Sequence, residues 1–509
     1  MMGFQNYRVH DRSHKYAAYD YAYSFLNSLP KETIMISYGD NDTYPVWGIQ
    51  QTEGFRNDVR VAHQALLTTP WFIDQMMRKV DNSNPIPLSM SHENYKEGVN
   101  DQVYVMSKED WNAIYKNLES QGAPGTVLSS FRKYLVQDSM TMKDAVNFLK
   151  MKSEDKDTVL KFIFGDDKYE KLNFLPVSKF VLPVNVNNAV KAGIIKPQEA
   201  GLAVDHITID YAKSSIMKNN VFLLDLLATF DWKRPISFSA GGVYDAANIF
   251  FLGDYLQFDG FSYRLVPIKT ETNNRGDMGR VDADELYNVV KNYKWGNFKD
   301  LYNHYDETAT QNIISYRMSA SRAAQALVAK GDKKRALELL DLASTEIPVA
   351  KYNDPRSLAE IVYGYIVAGQ EQKGLKLAEE LKKNIFNEYD YFSNLDPSQQ
   401  KFVRKQLSLQ PYLYSVVVST VSDAYEEMGE KDKAYQYIVN SITPVDKRFS
   451  DFVKGLQAMG KEKAYKESEN VQKITPFYEY LFNVMKPYDS TYSKEKMDQI
   501  TSQVIKATQ

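Results

Sequence analysis

Along the first half of the chain, short apolar runs alternate with amphipathic stretches. The runs Ile34–Ser37, Val59–His63, Lys179–Leu182, His206–Ile209, Ile236–Ser239 and Arg264–Ile268 read as strands. Between them a helical period predicts helices over Ala17–Leu29, Trp71–Arg78 and Val221–Phe230. Such alternation favours a mostly parallel sheet covered on both faces, a Rossmann-like α/β layer sandwich. From about Asn82 to Leu172 the pattern changes to helix signals. Ser107, followed by Glu109 and Asp110, opens one helix, Thr141 opens another, and Asp155–Phe164 gives a third. This reads as a helical insertion, either a lid beside the sheet or plain padding.

The densest segment is Ile34–Val61, IMISYGDNDTYPVWGIQQTEGFRNDVRV. It reads as a strand, an acidic loop, a helix over Val46–Thr52 opened by Pro45, and a second strand. Open α/β sheets hold ligands at strand carboxyl ends, which is where Asp40, Asn41, Asp42 and Thr43 fall. Three readings stay open for these residues. They cap the following helix, they touch a ligand or partner, or they offer oxygens to a divalent cation. In the capping reading Arg12 or Arg60 is the expected ion-pair partner.

After the polar, glycine-containing stretch Lys269–Glu285 the strand signals stop. A domain boundary is expected there, dividing an α/β domain over 1–275 from an all-α domain over 276–509. The second half carries a degenerate repeat. Gly331 precedes Ala336, Leu340, Ala343 and Pro348; Gly369 precedes Gly374, Ala378 and Leu381; Gly429 precedes Ala434, Ile438 and Ser441. The offsets resemble those of tetratricopeptide repeats, in which small residues let paired helices approach closely. Such a domain either binds a protein partner or buttresses its neighbour.

Composition narrows the chemistry. A length of 509 residues suits two or three domains, and a net charge of −3 gives no nucleic-acid surface. With no cysteine there are no disulfide partners, thiolate metal ligands or cysteine nucleophile. The leading residues are too polar for a signal peptide, and no apolar window is long enough to cross a bilayer, so the chain as given reads as soluble. Six histidines without H-E-x-x-H spacing make a metal site unexpected, and neither G-x-G-x-x-G nor a phosphate loop follows the first strand, so no cofactor is expected. No G-x-S-x-G elbow supplies a nucleophile. Asp11 and Arg12, in His10-Asp11-Arg12, therefore read as a cap and ion pair for the first helix. His63, Asp205, His206 and Arg264 sit in or beside strands as binding or structural candidates, and no residue is assigned as catalytic.

HDRSHKYAAYDYAYSFLNSL and ISYGDNDTYPVWGIQQTEGFRNDVRV are followed in order by TPWFIDQMMRK, DHITID, TFDWKRPISFS and YLQFDGFSYRLVPIK. Together these motifs resemble the soluble carboxyl-terminal part of a bacterial family of multispanning membrane proteins, similar to protein O-mannosyltransferases of the GT-C class. The resemblance covers about the first 270 residues. It implies an accessory domain on the periplasmic side of a bacterial inner membrane, binding acceptor protein or glycan. It also implies that the membrane-embedded transferase part is absent from this chain. A self-contained α/β hydrolase or transferase centred on the GDND segment, and a tetratricopeptide-like scaffold, are the alternatives.

Overall fold

The computed structural model describes residues 6–7, 9–166, 172–240, 252–270, 277–459 and 461–508. The chain forms an α/β unit over Tyr16–Gly296 and a helical unit from Asn297 onward, which also takes in the described residues before Tyr16.

The strands of the α/β unit are β1 (Ile34–Ser37), β2 (Arg60–His63), β3 (Gln102–Val105), β4 (Met140–Thr141), β5 (Asn173–Leu175) and β6 (Lys179–Pro183), continuing with β7 (His206–Asp210), β8 (Ser215–Met217), β9 (Ile236–Ser239), β10 (Leu256–Phe258) and β11 (Ser262–Leu265). The main sheet has five strands in the order β10-β11-β9-β1-β2. β1 runs parallel to both β2 and β9, whereas β11 is antiparallel to β9 and β10. Every residue of β1, β2 and β9 is buried, as strands covered on both faces require.

Between β2 and β9 the chain makes a long excursion with two further sheets, β5-β3-β8 and β4-β6-β7. Lys179–Leu182 and His206–Ile209 were expected in the main sheet; they pair antiparallel with each other in one of these small sheets. Their burial alternates, buried residues facing one side only, which is the mark of a sheet with one wet face. The insertion is therefore longer than the helical one expected, and it contains strands. Its helices begin where capping chemistry says: Ser107 accepts from the Asp110 N–H and Thr141 from the Asp144 N–H. The third helix starts at Glu154, because Ser153 accepts from the Lys156 N–H. Residues 167–171 of the expected insertion lie outside the described residues.

Buried polar groups pin the excursion down. Asp225, on the helix Lys218–Thr229, accepts hydrogen bonds from the N–H groups of Ser89 (3.0 Å) and Met90 (2.9 Å) and from the Tyr95 hydroxyl (3.0 Å). Lys156 donates from Nζ to the carbonyls of Phe148, Leu149 and Met151, closing the end of the helix Met142–Lys150.

The α/β unit runs past the boundary expected at 275. The Arg264 Nη2 lies 3.2 Å from Asp259 Oδ1 and 3.1 Å from Glu285 Oε2, and Lys196 pairs with Asp282 and Glu285. Arg280 pairs with Glu199. These charges tie the helix Ala283–Lys291, with its buried Ala283, Leu286 and Val290, to the last strands. Residues 271–276 of the expected boundary segment lie outside the described residues.

The helical unit contains the pairs Glu307–Ala329 with Lys333–Glu346, Pro355–Val367 with Glu371–Ser393, and Pro397–Glu427 with Lys431–Gln457. The first members of successive pairs also pack on one another. Gly331, Gly369 and Gly429 join the pairs at φ of 83°, 92° and 77°, a region that disfavours any side chain. The residues at the repeated offsets, Ala336, Leu340, Ala343, Ala378, Leu381, Ala434, Ile438 and Ser441, are all fully buried. The amino-terminal segment joins this unit, not the α/β unit as expected: Asn303 and Asn297 donate from Nδ2 to the His14 carbonyl at 2.8 and 3.1 Å.

Candidate functional site

The chain leaves β1 through Tyr38 and Gly39 and enters a helix at once, Asp40–Glu53. Gly39 is its extended N-cap, with no side-chain cap. The GDND segment is therefore the first turn of a helix and not a loop. The leading N–H groups of a helix lack intrahelical partners, and Asp40 and Asp42 meet the positive end of the helix dipole there. Pro45, expected to open the helix, falls in its second turn and leaves the Asn41 carbonyl without its usual donor. Thr43 anchors the turn from beneath, donating to the Gly39 carbonyl (2.8 Å) and lying 2.6 Å from Ser37 Oγ.

From β1 the chain first adds β2 on one side and later β9 on the other. The carboxyl ends of β1 and β9 therefore flank a topological switch point, where open sheets leave a crevice. Ser239 closes the floor by accepting the Tyr38 N–H at 3.3 Å. His63, the last residue of β2, reaches the same edge. Its Nε2 lies 3.3 Å from Asp40 Oδ1, and its Nδ1 accepts the Ala65 N–H at 3.2 Å. That backbone donor fixes the proton of the neutral imidazole on Nε2, so His63 donates to Asp40. Both ring nitrogens are thus engaged. The imidazole is 5% exposed and the Asp40 side chain 68% exposed, so the pair has one buried and one wet end. Tyr44 and Trp47 pack near the His63 ring, at centroid distances of 6.3 and 6.4 Å. Asp42 accepts from the Tyr21 hydroxyl at 3.1 Å. The edge presents the exposed aromatics Tyr38 and Tyr44 beside Asp40 and Asn41.

Of the residues singled out in the sequence, Asp40, Asn41, Asp42, Thr43 and His63 come together at this edge. Neither expected arginine pairs with the acids here. Arg60 donates from Nη2 to the Gln75 and Arg78 carbonyls, at 2.6 and 2.9 Å, because β2 carries it under the end of the helix Pro70–Met76. Arg12 is exposed in the segment that belongs to the helical unit. Asp11 does not cap the helix Ala17–Ser28, whose N-cap Tyr16 makes no side-chain capping bond; the Asp11 Oδ1 accepts from Ser13 N (3.0 Å) and Oγ (2.7 Å) instead. Asp205 and His206 are exposed at the start of β7, in a different sheet. Arg264 lies in the buried charge cluster described above. Sequence reasoning missed Tyr38, Tyr44, Trp47 and Ser239. Their signal was proximity to strand ends, drowned by the many other aromatics. Among the described residues, no group of three or more His, Cys, Asp or Glu could hold a metal ion.

Residues 18–285 match the family model described as TMEM260-associated domain 2. The match takes in more than half of the 509 residues. The chain belongs to this family. The TMEM260-associated domain 2 match spans β1 to β11 and ends inside the helix Ala283–Lys291, so it includes the whole carboxyl edge. No curated protein and no solved structure matches the chain. No described helix is long and apolar enough to cross a membrane.

Proposed function

We propose that this TMEM260-associated domain serves as an extracytoplasmic accessory domain of a membrane protein O-glycosyltransferase of the GT-C type. In this reading it engages acceptor protein or glycan through the carboxyl edge of the five-stranded sheet and leaves sugar transfer to a membrane-embedded part. On the bacterial family resemblance it would face the periplasm. The carrying observation is the family match across the α/β unit, since TMEM260 is a protein O-mannosyltransferase-like membrane protein. The edge suits recognition: exposed tyrosines stand beside a wet carboxylate and an amide, on a helix start anchored from beneath. The helical hairpins would then offer a second, tetratricopeptide-like surface for protein contact.

The test uses the purified chain with a mannosylated peptide, its unmodified counterpart and a polyprenyl-phosphate-linked mannose donor. Saturable peptide binding, weakened by Tyr44→Ala and Asn41→Ala, is the expected result. Turnover of the donor by the chain alone sinks the accessory reading. One observation favours a second reading, a self-contained hydrolase or transferase: the Asp40–His63 pair sits at the switch point. For His63 to act as a base there, its Nδ1 lone pair must be released from the Ala65 N–H or the proton must move from Nε2 to Nδ1, and any such activity should vanish in His63→Gln.

A further inference from the structure

A cavity of about 420 Å³ flanks β2, an edge strand of the main sheet. Its floor is Val59, Arg60 and Val61; its sides come from the helices Asp40–Glu53 and Pro70–Met76. That volume lies within the range of small-ligand sites.

Three features define what would fit. The first is aromatic surface. Trp47, Trp71 and Phe72 line the space, with ring centroids 6.1 Å apart for Trp47 and Phe72 and 5.5 Å for Trp71 and Phe72. Trp71 is 58% exposed, although it belongs to a helix whose other apolar residues Phe72, Ile73 and Met76 are buried. The second is unused hydrogen-bonding capacity. The side-chain amides of Gln51, Asn57 and Gln75 line the cavity and have no protein partner among the described residues. Each offers both donor and acceptor atoms. The third is charge balance. Arg60 is 5% exposed, its Nη2 is held by two backbone carbonyls, and no carboxylate lies within ion-pair distance of it among the described residues. Asp81 lines the same cavity and attracts it from farther off. The formal charges on the wall cancel, which disfavours a phosphate or carboxylate ligand.

Aromatic faces, amides that both donate and accept, and no net charge match one chemistry. A sugar ring offers C–H faces for stacking and hydroxyl groups that donate and accept at once. We propose that this cavity binds a neutral saccharide unit. The inference goes beyond the functional reading above: Trp47 borders both places, but Gln51, Asn57, Gln75 and Trp71 line the cavity and do not belong to the carboxyl edge.

The experiment is ligand-observed saturation-transfer NMR on the full chain, with the methyl glycosides of glucose, mannose, galactose and N-acetylglucosamine. Inorganic phosphate and benzoate are the control probes. Saturable transfer to at least one glycoside, with dissociation constants of about 1 mM, is expected for so small a ligand. Trp71→Ala and the double variant Gln51→Ala/Gln75→Ala should each weaken it about tenfold, with thermal melting unchanged because these side chains are exposed. Asn41→Ala should leave it unaltered, which separates this site from the carboxyl edge. Transfer to none of the glycosides, saturation by phosphate or benzoate alone, or glycoside binding indifferent to the cavity variants each overturns the proposal.

Discussion

Asp40 illustrates how one carboxylate acquires a modest structural role. It stands in the first turn of a helix, worth about 0.3–1 kcal/mol for an exposed acid, and accepts from His63, a contact worth about 0–1 kcal/mol when one partner is exposed. Asp40→Ala should therefore lower stability by roughly 1 kcal/mol in urea titration, with no change on adding magnesium or calcium. A loss several times larger, or one dependent on the cation, would point to a buried or metal-linked role. The acids' position was legible from the strand run before them. Their partners were not, because Tyr21 and His63 arrive from elements that the local sequence does not connect to the turn. Lys156 gives a sharper pH signature. Burial pushes its ammonium down to about 7. Its folded pKa lies below the unfolded value, so between about 7 and 10.4 the folded state binds fewer protons than the unfolded chain. Stability should thus gain from this group as pH rises through that window, and the gain should disappear on returning to pH 7. Lys156→Met should flatten that part of the urea-midpoint profile; an unchanged slope would show that the carbonyl cage keeps the lysine charged throughout.

At the scale of elements, burial pattern separates what could be read from what could not. The apolar run Ile34-Met35-Ile36 of β1 announced a buried strand, and Ser107 and Thr141 announced helix starts. β7 misled because His-Ile-Thr-Ile-Asp was weighed for apolar content and not for alternation, which marks a half-exposed antiparallel pair; in β6 the burial alternates although Phe180-Val181-Leu182 does not. The GDND turn misled because Pro45 was allowed only at a helix start. The helical hairpins were legible from their small residues, and two glycines test why. At Gly374 an added Cβ would meet Ile366 Cγ1 at 2.6 Å and the Val362 carbonyl at 3.0 Å. At Gly48, on the exposed face of the helix Asp40–Glu53, it would meet nothing within 4 Å. Gly374→Ala should destabilise by about 1–3 kcal/mol through overpacking, less any helix-propensity gain. Gly48→Ala should stabilise by about 0.5–1 kcal/mol from that same propensity. Equal and favourable effects in thermal melts would mean that the hairpin tolerates a wider separation than its small residues suggest.

At the scale of the whole chain, the change from strands to helices was visible in the sequence, but the limit of the α/β unit was not. Lys269–Glu285 looks like a linker because it is polar. Several of its charges are nevertheless structural: Arg280 pairs with Glu199, and Asp282 and Glu285 pair with Lys196 and Arg264. Polarity in sequence cannot distinguish a solvated linker from a charge cluster whose partners lie far away in the chain. The consequence can be tested with fragments. Cutting at 275 removes Glu285 from Arg264, which is 6% exposed, and strips away the buried face of the helix Ala283–Lys291. Arg264 keeps its buried partner Asp259, but giving up the burial of Leu286 and Val290 costs about 3–6 kcal/mol at roughly 1.5–3 kcal/mol each, and each kcal/mol shifts the melting temperature by roughly 2–4 °C in a domain of this size. A fragment of residues 16–296 should therefore fold and unfold cooperatively. A fragment of residues 16–275 should melt lower by roughly 10 °C or fail to stay soluble. Arg264→Met combined with Asp259→Leu in the shorter fragment should recover only a small part of that difference, because it removes the buried charges together but does not restore the lost helix face. If the shorter fragment melts as high as the longer one, the charge cluster and the helix it holds are not part of the fold's support, and the unit ends where the polar stretch begins.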